Sequence, residues 1–255
     1  MTGHEPLILA LAAVLGLLVG SFLNVCIWRL PRRESVVSPG SYCPACERRL
    51  TWWEMAPLLS YLALGGRCRT CRARISPVYP IVEAANAAIY VAALLIWGWS
   101  LHALGVAIFG SLLLVGGMID GRHRIIPDVI TIPGLVAGLV LSTLNPAIGF
   151  WGSLAGLALG GGFLLLVAVV TNGGMGGGDI KLAAMMGAFL GWSSLVAGLL
   201  FGFIAGALFG GTLVLLGVKH RKDLMAFGPF LAAGGLAAAF WGPDVVAWYL
   251  RVLWG

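Results

Sequence analysis

The chain has 255 residues, of which 60% are hydrophobic and 10% charged, with a net charge of +6 and a mean hydropathy of +0.97. A soluble domain carries about 25% charged residues, and disorder needs low hydrophobicity with high charge, so the chain is neither. The 38 glycines follow no Gly-X-Y period, which excludes collagen. The apolar runs are long and continuous, which excludes an outer-membrane barrel. The composition fits an all-α polytopic membrane protein. In a soluble protein the +6 would point to nucleic acid; here no nucleic acid is expected, and the charge instead reports topology.

A hydrocarbon core about 30 Å thick needs roughly 20 apolar residues in a helix. The first candidate runs from Leu7 to Trp28, with Arg29, Arg32 and Arg33 directly after it and only Glu5 charged just before. A secretory signal peptide shows the reverse order, so the sequence predicts a retained helix with its N-terminus outside. Residues 29–77 form the only sizeable polar stretch and hold nine arginines. Beyond Pro77, apolar windows predict helices at 78–97, 102–119, 129–144, 148–170, 180–192, 194–217 and 225–241. This gives eight spans with both termini outside, in three parts: residues 1–28, the cytoplasmic insert 29–77, and a seven-helix domain 78–255. Under that topology fifteen of the sixteen Lys and Arg residues are cytoplasmic, including Lys219, Arg221 and Lys222, and only Arg251 is outside, as the positive-inside rule requires. The stretch Leu182–Trp192 makes only about 16 Å of helix and is read as a short span lining a wet cavity. Past Pro243, the run Val245–Trp254 is expected along the outer interface, with Trp248, Tyr249 and Trp254 at headgroup depth.

Within the insert, Cys43 and Cys46 form one CxxC pair and, after 21 intervening residues, Cys68 and Cys71 form another. Two such knuckles match a tetrathiolate zinc ribbon. A loop this small has too little apolar material to fold unaided, so the metal would supply folding energy. Two disulfides are the alternative, and a cytoplasmic location keeps thiols reduced. Four cysteines close the site, so one structural zinc per chain is expected. Cys26, in the first helix, reads as an inert buried thiol.

Ionisable groups in or beside membrane helices are functional candidates. Four acids qualify: Glu83, Asp120, Asp128 and Asp179. Asp120 ends the third predicted helix. Asp128 opens the fourth, where an N-cap role competes with a chemical one. Asp179 follows a glycine run that includes Gly176, Gly177 and Gly178, a backbone able to bend and to approach a ligand closely. Asp120 and Asp179 fall at the same membrane depth on different helices. Two carboxylates brought together share a proton and can activate a water against an amide, which is aspartic-protease chemistry. In a transporter the same two would be relay carboxylates, with the broken sixth helix as the binding site. A glycine loop before a helix could also hold phosphate, although Asp179 would repel it.

The ordered motifs resemble the type IV prepilin peptidases, the leader peptidase/N-methyltransferase family of GxGD-type membrane proteases. The resemblance rests on Gly20-Ser21-Phe22-Leu23-Asn24-Val25, Arg29-Leu30-Pro31, the two CxxC pairs, Pro57-Leu58-Leu59-Ser60-Tyr61, Gly65-Gly66-Arg67-Cys68 and Tyr79-Pro80-Ile81-Val82-Glu83. It continues through Ile119-Asp120, Ile126-Pro127-Asp128, Gly176-Gly177-Gly178-Asp179-Ile180-Lys181-Leu182 and Phe227-Gly228-Pro229-Phe230. It implies that Asp120 and Asp179 are catalytic and that Asp128, Gly176, Gly178 and Lys181 support them. It also implies that the enzyme removes the basic leader of prepilins or pseudopilins at the cytoplasmic face of the inner membrane. Lys181 would hold local charge or contact a lipid phosphate, the second being preferred. A second activity, S-adenosylmethionine-dependent methylation of the new N-terminus, is implied as well, with Glu83 serving it or pairing with an arginine of the insert. Here the chain departs from the family: it reads Trp53-Glu54-Met55-Ala56-Pro57 where an Asn-Ile-Pro run is common, and the stretch before Cys43 is short.

Overall fold

The computed structural model describes residues 5–218, 220 and 225–254; Lys219, Arg221 and Lys222 lie outside the described residues. The helices are α1 (Glu5–Arg29), α2 (Leu59–Ala63), α3 (Val78–Trp97), α4 (Leu101–His123), α5 (Asp128–Thr143), α6 (Gly149–Val170), α7 (Gly177–Leu215) and α8 (Gly228–Trp254), with no strand among the described residues. Six of these are long and apolar enough to cross a membrane. The shorter α5 is apolar as well.

Straight, the 39 residues of α7 would reach about 58 Å, far more than a bilayer core. The helix instead breaks at Gly191, where φ is 71° and ψ 171°, a conformation open to glycine and closed to most side chains. The chain folds back there: a Cβ on Gly160 of α6 would meet both the Ala183 carbonyl and Leu195, residues that a straight helix would hold roughly 18 Å apart. Counting the two limbs separately gives eight apolar helical segments among the described residues, the number the hydropathy predicted. The break precedes the expected one at Ser193-Ser194, and the first limb begins at Gly177, so it is longer than the 180–192 stub. Two further boundaries differ. The helix α4 continues to His123, which puts Asp120 inside its last turn, where Arg122 and His123 suit the negative end of the helix dipole. At the other end of the chain, α8 runs unbroken through Pro243 to Trp254, so residues 245–254 extend the last span and form no separate element. Membrane helices tolerate such a proline.

The chain divides into two compact units, Met1–Ala103 and Leu104–Gly255. In the first, α1 and α3 pair antiparallel at van der Waals contact. Gly20 lies against the Glu83 backbone and Gly16 against Ala87, while Asn86 donates to the Gly16 carbonyl at 2.8 Å and Asn24 to that of Tyr79 at 3.0 Å.

In the second unit the same economy of small residues brings backbones together. A Cβ on Gly187 would lie 2.0 Å from the Gly156 carbonyl oxygen, and one on Gly234 would lie 2.3 Å from that of Gly198. These contacts seat α6 on the first limb of α7 and α8 on the second. At the turn between the limbs, the Ala188 carbonyl accepts from Ser142 of α5 at 2.7 Å and from Ser153 of α6 at 2.6 Å.

Candidate active site and metal centre

Asp120 is 6% exposed and its Oδ2 accepts the backbone N–H of Gly228 at 2.8 Å. Gly228 opens α8, whose first N–H groups have no helical partner and favour an anion. A Cβ at residue 228 would sit 2.7 Å from that oxygen and 2.9 Å from Cγ, so only glycine fits.

Asp179 lies in the first turn of α7, half-buried, with its own N–H on the Gly176 carbonyl at 3.1 Å. Its Oδ1 is buried and has no hydrogen-bond partner. One turn inside Asp120 on α4, a Cβ on Gly116 would come 3.8 Å from Leu182, itself one turn inside Asp179 on α7. The contact therefore sets the two carboxylates at one level on facing helices, within range of each other's charge. The loop after α4 closes on this point, because a Cβ on Gly178 would lie 3.0 Å from that of Ile126. Gly176 packs directly beside the Asp179 carboxylate.

Two residues after Asp179, Lys181 donates to Asp128 Oδ1 at 2.6 Å, both side chains being about half exposed. Asp128 is not the N-cap of α5. That position is held by Pro127 without a side-chain cap, and Asp128, in the first turn, pairs with Lys181 across to α7. Lys181 thus has a carboxylate partner within the protein.

Glu83 lies in the first unit and, among the described residues, pairs with no arginine of the insert. Its Oε2 accepts the Leu58 N–H at 2.9 Å, and Ser21 of α1 also bonds it. The reason is reach: Leu58 is folded back at φ 58° and ψ −49° onto the carboxylate.

The four cysteines of the insert bring their Sγ atoms within 4.8 Å of one another, with Cys43 and Cys71 at 3.8 Å. Zn–S bonds of about 2.3 Å in a tetrahedron require edges of about 3.8 Å, so the donor set fits zinc. The two knuckles are built alike. Cys43 N bonds Arg48 O at 2.9 Å and Cys68 N bonds Ala73 O at 2.8 Å; Leu50 N bonds Ser41 O and Ile75 N bonds Gly66 O. The residue after each second cysteine, Glu47 or Arg72, takes positive φ. N–H groups of Cys71 and Thr70 pull the Cys68 thiol down to about 6. Cys71 accepts the Ala73 N–H, which would lower it, yet burial and the crowding of the other thiols push it up to about 11. Bringing one thiolate within reach at neutral pH is what a metal-binding cluster requires. Beside the knuckles, Arg48 holds Glu54 through two bonds of 3.1 and 2.6 Å. With Thr51 N–H and Oγ1 adding two more, Arg48 and Thr51 hold the Glu54 carboxyl down at about 2.

Sequence reasoning did not identify Gly228 as a partner of Asp120, although the Gly-Pro pair at 228–229 marks a helix start and so a source of free N–H groups.

The family described as Bacterial Peptidase A24 N-terminal domain matches residues 14–97, and the Type IV leader peptidase family matches residues 107–211. A Bacillus subtilis (strain 168) protein named Prepilin leader peptidase/N-methyltransferase is 36% identical over 250 residues, covering 97% of this chain and 100% of the relative. Proteins of the same name from Stutzerimonas stutzeri and Pseudomonas aeruginosa are each 37% identical over 280 residues, covering 97% of this chain and 96% and 95% of theirs. No solved structure matches.

Proposed function

The chain belongs to the type IV leader peptidase family, and on that premise we propose that Asp120 and Asp179 are the pair with which it cuts its substrate. The chain is a multi-pass membrane peptidase, and the observation that carries the site assignment is the asymmetry of the two acids. One Asp120 oxygen is fixed by the Gly228 N–H, while Asp179 presents a buried oxygen with no partner at the same level on the facing helix. Such a pair shares one proton. One carboxylate takes the proton of an attacking water, and the other polarises the scissile carbonyl and later protonates the leaving nitrogen. The open glycine run before Asp179 gives an extended peptide room to lie across the pair.

The substrates are prepilins or pseudopilins, cut after the short basic leader. The proposed orientation places the insert and the carboxylate pair on the cytoplasmic side of the inner membrane, with both termini outside. The cation distribution supports it. Zinc on Cys43, Cys46, Cys68 and Cys71 has no open coordination position and acts structurally, folding the insert. Methylation of the new N-terminus is proposed as a second activity, with S-adenosylmethionine supplying the methyl group when bound. The family match favours the peptidase over a transporter with relay carboxylates.

Asp120→Asn and Asp179→Asn, assayed on the purified full chain with a purified prepilin in detergent, are each expected to abolish leader cleavage. Processing by both variants would reject the assignment.

A further inference from the structure

The insert carries nine arginines against three glutamates, a net +6 equal to that of the whole chain. It also exposes large apolar side chains: Trp52 is 82% exposed, Leu59 70% and Leu62 74%. Leu59 and Leu62 stand three residues apart on α2 and share a face. In water such a set is a liability.

The depth of α2 explains it. Glu83 is level with Gly20 of α1, and from Gly20 to the end of α1 at Arg29 is about 13 Å of helix. The Leu58 N–H reaches the Glu83 carboxylate at 2.9 Å. At Leu58 the chain makes a tight three-residue turn, with Leu59 N on the Pro57 carbonyl at 2.6 Å, and α2 starts directly from it. It therefore begins beside the paired bodies of α1 and α3, below their ends. At that level α1 presents Leu18 and Phe22, both more than half exposed, as a membrane span presents its lipid-facing side chains.

We propose that residues 52–63, the Trp52–Met55 turn together with α2, are an interfacial anchor that buries Leu59 and Leu62 in the leaflet on the insert's side, with Trp52 at headgroup depth and the insert's exposed arginines, Arg29 and Arg48 excepted, on anionic lipid phosphates. Three features support lipid as the occupant. Trp favours the membrane interface. A basic surface next to a span attracts anionic headgroups. The bond to Glu83 fixes the start of α2 beside the α1–α3 pair, below the helix ends.

A spin label introduced as a ketone amino acid leaves the cysteines free. The full chain, labelled singly at Leu59 or Leu62, is reconstituted in vesicles of phosphatidylglycerol and phosphatidylcholine. Collisions with oxygen and with a soluble nickel chelate are then compared with labels at Phe22 and at Arg72. The expected result is a Leu59 and Leu62 reading like Phe22, oxygen-rich and nickel-poor. Nickel access equal to that at Arg72 would overturn the proposal. So would shielding that appears only when a prepilin is added, or spin–spin broadening between chains, since these identify a substrate helix or a second copy as the occupant. As a check without labels, the wild type is expected to lose fluorescence to lipids brominated near the glycerol backbone, and Trp52→Phe to lose a smaller share. Equal quenching of the two proteins counts against the anchor.

Discussion

Replacing Gly228 by alanine tests the arrangement at Asp120 with the smallest possible change. The added Cβ would stand 2.7 Å from Asp120 Oδ2 and 2.9 Å from its Cγ, closer than any real carbon tolerates, and α4 and α8 are both packed in place. Either the carboxylate or the start of α8 must shift, and the 2.8 Å bond is lost. A hydrogen bond to a charged group contributes about 1.5–3 kcal/mol, which corresponds to roughly a 10- to 150-fold fall in kcat at 1.36 kcal/mol per decade. The assay is single-turnover cleavage of a purified prepilin by the full chain in proteoliposomes, which separates the chemical step from binding. Gly162→Ala is the control, since a Cβ there meets nothing within 4 Å; it should leave the rate within about twofold and stiffen α6 slightly. If Gly228→Ala folds and cleaves at the wild-type rate, the Gly228 N–H does not orient Asp120 for chemistry.

Three other outcomes follow from the geometry. The full chain should bind one zinc, measured by elemental analysis, and Cys43→Ser should lose it; a wild type without zinc would refute the ribbon. The exposed pair Lys181–Asp128 should contribute only about 0.2–1 kcal/mol, so Lys181→Met should slow cleavage less than about fivefold; loss as complete as in Asp179→Asn would place Lys181 in the chemistry. Glu54, held near 2 against an ordinary 4.5, has its folded-state value depressed. Its contribution is therefore complete above about pH 4.5 and is lost as pH falls toward 2. Exchange protection of the Thr51 amide, relative to Glu54→Gln, should shrink across that window, and an unchanged ratio would refute the ion-pair account.

Hydropathy made the membrane segments readable because each span must present apolar residues to lipid regardless of its neighbours. The CxxC pairs were readable because ligand spacing is local. What escaped was set by contacts between distant residues. The turn at Gly191 depends on α6 lying against both limbs of α7, and composition placed the break at Ser193-Ser194 instead. Asp128 looked like an N-cap because its partner, Lys181, lies 53 residues away. Glu83 suggested an arginine partner, since nothing in the sequence announces that Leu58 folds back to meet it. Asp120 and Asp179 could be singled out by depth and by the family resemblance, but the glycine that orients Asp120 comes from a helix 108 residues further on.

The Ala188 carbonyl, shared by Ser142 and Ser153, joins three spans at a single acceptor. Three spans meet on one atom at the end of the unit opposite the aspartates, so a shift at that atom would tilt the first limb of α7. Asp179 sits about 13 Å out along this limb, and a tilt of roughly 5° would sweep it through about 1 Å, a displacement on the scale that costs an enzyme about a hundredfold in rate. Mutations at the serines, remote from any substrate, would thus register as a loosening of the aspartate spacing.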